Sequence, residues 1–162
     1  MKFSNLDDFN FAKKINGGAL LTASKNSGEI NTMTVSWGTA GILWNKEVCT
    51  VFVRPQRYTY EFCENGDILT LSFFGAEKQD TLAYCGTKSG RCVDKLDVCK
   101  LKYELQNGAC VFNDAKITLV LKKIYAQDLK SECFYDERPL INYKNNDFHR
   151  AYTCEIIDVI TK

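Results

Sequence analysis

Short apolar stretches recur along the chain, separated by turn-forming residues. Ala19–Ser24 follows the Gly17-Gly18 pair. Asn31–Gly38 alternates with period two, the pattern of a strand with unlike faces. Val48–Arg54 and Asp67–Phe74 are nearly continuous apolar and β-branched, as for strands covered on both faces. Ala115–Gln127 sets Ile117, Leu119 and Leu121 on one face, and Ala151–Ile160 closes the chain. This pattern predicts a mainly antiparallel sheet or barrel.

Helical signals are fewer. Tyr58–Asn65 follows Pro55, a residue favoured at helix starts. Glu77–Tyr84 places Gln79, Leu82 and Ala83 at helical spacing, and Asp94–Lys100 reads as a third short helix. The expected class is mainly β (α+β), with short helices at strand ends. No repeat, low-complexity tract or linker divides the chain, so residues 1–162 read as one domain.

The chain is 45% hydrophobic and 25% charged, enough for an ordinary core without staples. Twenty-one basic and twenty acidic residues leave a net charge of +1, which argues against a broad nucleic-acid surface. A local basic pocket for a small anion remains open. No apolar run has signal-peptide or membrane-span length, so a cytoplasmic protein is expected. Eight cysteines occur without a CxxC pair, which excludes zinc-ribbon and ferredoxin spacings. They read as reduced thiols, mostly small core residues, with a thiol-based redox or metal protein as the competing class.

Three segments suit a phosphorylated aromatic ligand. In Asn31–Gly38, Thr32, Thr34 and Ser36 form a row of small hydroxyls along which a flat ligand could reach the backbone. Met33, Val35 and Trp37 should then point into packing. The same alternation also describes a strand with one solvated face. In Val53–Tyr60, a strand runs into a helix start carrying Arg54, Arg57 and Thr59, donors that suit a dianionic phosphate. Two surface arginines beside a cap would look the same. In Cys85–Lys95, Gly86 and Gly90 permit left-handed turns, and Lys88, Arg91 and Lys95 gather charge with Ser89. A solvated loop is the alternative, and the GKS/T ending of a Walker motif is missing.

NTMTVSWG at Asn31–Gly38, VRPQRYTYEF at Val53–Phe62, CGTKSGRCVDK at Cys85–Lys95 and HRAYTCEI at His149–Ile156 resemble the flavin reductase-like, FMN-binding split-barrel family, which includes flavoredoxins. The resemblance runs from about residue 12 to 160. It implies an antiparallel, six-stranded split β-barrel, a homodimer, and FMN near the dimer interface. By position it places Met33, Thr34, Val35 and Ser36 along the isoalloxazine. Arg54, Arg57, Tyr58 and Thr59 would hold the phosphate and ribityl chain, and Ser89, Gly90, Arg91 and Lys95 would close the phosphate end. His149 matches a late histidine near the flavin, while its bland alternative is a partly exposed residue at a strand start. Cys92 replaces a usual acidic residue, Phe148 a common aspartate and Cys154 a common glycine. The implied activity moves electrons from NAD(P)H through FMN to a flavin, iron or protein acceptor. The alternative is a carrier that serves partner redox proteins.

Overall fold

The computed structural model describes all 162 residues. Strands β1 (Ala19–Ser24), β2 (Ile30–Val35), β3 (Gly38–Leu43), β4 (Lys46–Val53), β5 (Ile68–Phe73), β8 (Ile117–Asp128) and β9 (Arg150–Thr161) form one sheet. Its order is β2-β1-β5-β8-β9-β4-β3, with every pairing antiparallel. Strands β6 (Tyr103–Gln106) and β7 (Ala109–Phe112) make a separate hairpin. The helices are α1 (Phe11–Asn16), α2 (Tyr58–Asn65), α3 (Gln79–Thr87) and α4 (Lys95–Val98).

The sheet curls around one core. Leu21 of β1 and Val51 of β4 stand four places apart in the strand order, yet both belong to a buried cluster with Leu71, Leu119 and Tyr152. Each fully buried leucine there contributes roughly 1.5–3 kcal/mol. Leu20 points the opposite way, as period two requires, and joins Leu82, Cys85, Leu101 and Phe112 in a second cluster. That cluster seats α3 and the β6–β7 hairpin on the outside of the barrel. Register breaks at Val120/Leu121 and Lys123/Tyr125 bend the long β8–β9 pair.

Several elements depart from the expected ones. The predicted strand Asn31–Gly38 ends at Val35, and a new strand starts at Gly38, so the sheet has seven strands rather than six. Trp44 (φ 51°) and Asn45 (φ 57°) turn β3 into β4, the doubly left-handed backbone of a tight hairpin. Asn107 (φ 50°) and Gly108 (φ 82°) do the same between β6 and β7. The second helix starts later, at Gln79, after a 3-10 turn over Ala76–Lys78, and extends to Thr87. The third is a single turn, Lys95–Val98, capped by Asp94 Oδ1.

No helix is long and apolar enough to cross a membrane. All eight cysteines are free thiols. Cys49, Cys63, Cys85, Cys110 and Cys154 are buried, in keeping with a packing role, whereas Cys92 and Cys133 are exposed.

Candidate functional site

Two adjoining cavities bring most of the singled-out residues together, and Arg57 lines both. The larger measures about 230 Å³. Its walls are Met33–Val35 of β2 and the Ser36 and Trp37 that follow, with Phe52, Arg54, Arg57 and His149. The smaller measures about 70 Å³, the room of about two water molecules. Gln56–Thr59 at the start of α2 faces Thr87–Gly90 and Lys95 across it.

The smaller cavity is strongly cationic. Arg57 donates from Nη1 to the Gly86 carbonyl (2.7 Å) and from Nη2 to the Cys85 carbonyl (3.3 Å). Lys95 is only 3% exposed, and its Nζ reaches the same Cys85 carbonyl at 3.5 Å. Neither cation belongs to any of the chain's ion pairs. Burial, reinforced by the Arg57 charge, pushes the Lys95 ammonium down to about 8, and burial also lowers Arg57. A buried lysine and a half-buried arginine leaning on one carbonyl form a costly arrangement that a bound anion would relieve.

The backbone adds to this. Arg57 occupies the N-cap of α2 in extended conformation, and no side chain caps that helix end. The Arg57 and Tyr60 N–H groups bond to the Arg54 and Arg57 carbonyls, which leaves those of Tyr58 and Thr59, with the positive dipole end, beside the cavity. Thr59 Oγ1 accepts from Asn31 Nδ2 at 2.7 Å, which leaves its own proton to donate. Gly86 and Gly90 do not adopt left-handed backbone, contrary to the expectation. Space is what demands glycine at 90, because a Cβ would lie 2.2 Å from Asn31 Oδ1 and 3.0 Å from Tyr58 Cδ1.

The larger cavity is more apolar. Met33 and Val35 are buried in the core, so they offer the cavity mainly backbone. The expected hydroxyl row is only partly available. Thr32 is consumed inside, donating to the Leu21 carbonyl (3.1 Å) and accepting from Thr22 (2.9 Å). Thr34 donates to the Leu82 carbonyl at 2.6 Å but still lines the cavity with Ser36. Trp37 was expected in packing, but it is 46% exposed at the cavity wall. Strand pairing has ended at Val35, so alternation no longer sets its direction.

His149 is buried, which removes its reading as an exposed strand-start residue. Its Nδ1 lies 2.9 Å from the Tyr143 hydroxyl, and its ring is 5.2 Å from that of Trp37. Burial and the Arg54 charge drive its pKa down to about 4, with Asp147 opposing, so the imidazole is neutral at neutral pH. Arg54 lines the larger cavity rather than the smaller. It is ion-paired with Asp147, which Gln56 Nε2 also reaches at 2.9 Å, and it donates to the Asn142 carbonyl at 2.9 Å. Arg91 stands outside the lining of both cavities, paired with Glu61 and 4.8 Å over the Tyr58 ring.

The replacements noted in the sequence find structural partners. Phe148 stacks on Tyr143 (4.6 Å between centroids), and Asp147 supplies a carboxylate one position earlier. Cys154 is buried directly opposite Cys49 in the β4–β9 pairing. Phe52, Tyr143 and Asp147 escaped the sequence reading as site residues. Phe52 is hidden in a continuous apolar strand, and Tyr143 and Asp147 lie in a segment without periodicity.

The chain is thus an antiparallel split barrel that carries a small cationic cavity beside a larger, more apolar one. Residues 13–159 match the model of the flavin reductase like domain, and the chain belongs to that family. Solved structures agree on the fold. The flavoredoxin of Desulfovibrio vulgaris (Miyazaki F) superposes with a TM-score of 0.70 at 16% identity, over 100% of this chain and 76% of that one. The flavoredoxin of Methanosarcina acetivorans gives 0.68 at 21% identity, over 90% and 68%. The styrene monooxygenase flavin reductase of Pseudomonas putida S12 gives 0.66 at 17% identity, over 90% and 79%. No curated protein matched the sequence.

Proposed function

We propose that this protein is a homodimeric FMN oxidoreductase that takes electrons from NAD(P)H and delivers them to a flavin, iron or protein acceptor. The carrying observation is the pair of cavities joined at Arg57, one larger and more apolar, the other small and doubly cationic. FMN has that shape and charge. FMN by name draws support from the likeness of the fold to an FMN-binding protein from Thermus thermophilus (TM-score 0.68, 19% identity, over 89% of this chain and 69% of that one).

In this reading Arg57, Lys95 and the α2 N-terminus hold the phosphate, with Tyr58, Thr59, Ser89 and Gly90 shaping the niche. Charge-assisted bonds of this kind contribute about 1.5–3 kcal/mol each. Arg91 acts from behind Tyr58 by fixing that ring. Met33–Ser36 give the isoalloxazine a wall with backbone groups along it, and Arg54 sets positive charge at the cavity edge. Bound FMN supplies the redox chemistry, accepting two electrons and passing them on singly or together. His149 stays neutral and hydrogen-bonded to Tyr143, so it orients and excludes water at the ring end and does not serve as a charged acid. Trp37 stands where a second flat ring could stack.

The carrier reading keeps the same FMN site without nicotinamide exchange. Anaerobic mixing of the flavin-loaded protein with NADH or NADPH tests the choice. Bleaching of the visible flavin band within seconds is expected. No bleaching by either nicotinamide, together with full reduction by reduced ferredoxin, would establish the carrier instead.

A further inference from the structure

His149 is the chain's only histidine, and its two ring nitrogens meet different surroundings. Nδ1 faces the Tyr143 hydroxyl at 2.9 Å. Nε2 has no hydrogen-bond partner in the chain. It is not sealed in either, because Arg150 Nε is the one sealed, unpartnered side-chain nitrogen of the structure. Nε2 therefore opens onto the larger cavity that His149 lines. The Tyr143 side chain is held in place: Phe148 stacks on its ring, and the Arg54 guanidinium lies 5.3 Å from the ring centre. Trp37 and Phe52 rings lie 5.2 and 6.5 Å from the imidazole and fix its plane in turn.

Which of the two groups gives the proton decides what His149 presents to a ligand. A neutral imidazole carries its proton on one nitrogen and a lone pair on the other. The ring is neutral, since burial and the Arg54 charge oppose its protonation. A phenol is a better proton donor than a neutral imidazole and a poorer acceptor, so a bond between them runs from O–H to N. Tyr143 is buried, and its hydroxyl has no other acceptor. Were Nδ1 the donor, the phenolic proton would be left without a partner inside the protein. The Asp147 carboxylate offers no alternative, because Arg54 and Gln56 occupy it.

We propose that Tyr143 is a positioning residue that donates to Nδ1 and so fixes His149 as the Nε2–H tautomer, a hydrogen-bond donor presented to whichever ligand atom gains negative charge in the larger cavity. The proposal rests on the flavin reading above for the identity of that ligand. A hydride from NAD(P)H brings two electrons and one proton, and leaves one negative charge on a flavin ring. A hydrogen bond strengthens as its acceptor becomes anionic, so His149 favours reduced flavin over oxidised.

The single histidine makes the test direct. Nitrogen-15 NMR of the imidazole-labelled, flavin-free protein reads which ring nitrogen carries the proton. The wild type should carry it on Nε2, and Tyr143→Phe should move the Nδ1 resonance. A wild-type proton on Nδ1 would overturn the proposal. With FMN bound, His149→Leu should cost about tenfold in affinity for the reduced relative to the oxidised flavin, a fall of about 30 mV in a two-electron potential. His149→Gln, which restores an N–H near the same place, should recover most of that loss, and Tyr143→Phe should fall between. Potentials unchanged in both His149→Leu and Tyr143→Phe would also overturn it. Failure of the wild type to bind FMN would remove the flavin reading, while the tautomer would still be read from the flavin-free protein.

Discussion

Lys95 shows how a residue can work for binding and against the fold at once. Burial holds its ammonium at about 8, below the ordinary 10.5 of a lysine. A dianionic phosphate beside it would favour the charged form and raise that value again. Above pH 8 the free protein has lost the proton that the complex retains, so FMN affinity should fall as pH rises, by up to about tenfold per pH unit. Lys95→Met should flatten that slope and weaken binding at pH 7 by about 1.5–3 kcal/mol. The flavin-free protein should respond in the opposite sense. Its folded lysine titrates below the unfolded one, so burying the charge costs stability below pH 8, and the cost fades as pH climbs from 8 to 10.5. Lys95→Met should therefore melt higher than wild type at pH 7 in the absence of flavin. Binding titrations and melts across pH 6.5–9.5 read both effects. A wild-type affinity independent of pH would remove Lys95 from the anion site. Arg57 stays charged throughout this range, so its contribution carries no such signature.

At the scale of elements, the segment between β8 and β9 decides how the larger cavity is closed. It has two 3-10 turns, Ser131–Cys133 and Arg138–Tyr143, and little else to hold it. Phe134 packs on Tyr143 and Phe148, the Leu129 N–H bonds to the His149 carbonyl, and Asp147 ties the end to Arg54 and Gln56. Asp147→Ala removes the one tie to the barrel wall that involves a charged pair. Limited proteolysis should then cut between residues 130 and 147 several times faster, and FMN should bind more weakly as His149 loses its support. A cutting pattern identical to wild type would show that the aromatic contacts suffice. This segment is also where the sequence was least legible. β1, β4, β5, β8 and β9 announce themselves because apolar alternation or continuity records burial directly. Asp147 and Tyr143 act through contacts across the fold that leave no local period. The β6–β7 hairpin was missed for another reason: β6 is exposed throughout and β7 buried throughout, so neither alternates. Its Asn107-Gly108 turn was the readable signal. For the site, the order of Arg54, Arg57, Tyr58 and Thr59 along a strand-to-helix join pointed to the two cavities that meet at Arg57, which the FMN reading gives to the flavin. The split of labour between the arginines was not, because it depends on Asp147 arriving from a distant segment.

For the whole molecule, the two edges of the sheet are treated differently. β2 is largely buried, with α2, α3 and α4 against it. β3 is covered only by α1, near Gly38, and its hairpin carries Ile42 at 72% and Trp44 at 55% exposure. The Trp44 ring reaches Tyr125 of β8, itself half exposed and part of an apolar groove of about 600 Å³. Phe52 lines both that groove and the larger cavity, so the groove and the proposed flavin ring site share one apolar wall residue. A largely uncovered edge strand beside such a surface is a liability in a monomer, and association covers it. A homodimer built on this face would bury the hairpin and enclose the larger cavity in one step. Light scattering of the flavin-loaded protein should give twice 18.4 kDa. Trp44→Glu, at the hairpin tip and far in sequence from the phosphate niche, should give the single-chain mass with the fold retained by circular dichroism. A Trp44→Glu protein that remains dimeric would place the interface elsewhere. If the dimer face also shelters the ring, the monomeric variant should lose flavin affinity without losing the pH dependence that Lys95 confers, because the phosphate niche lies within one chain.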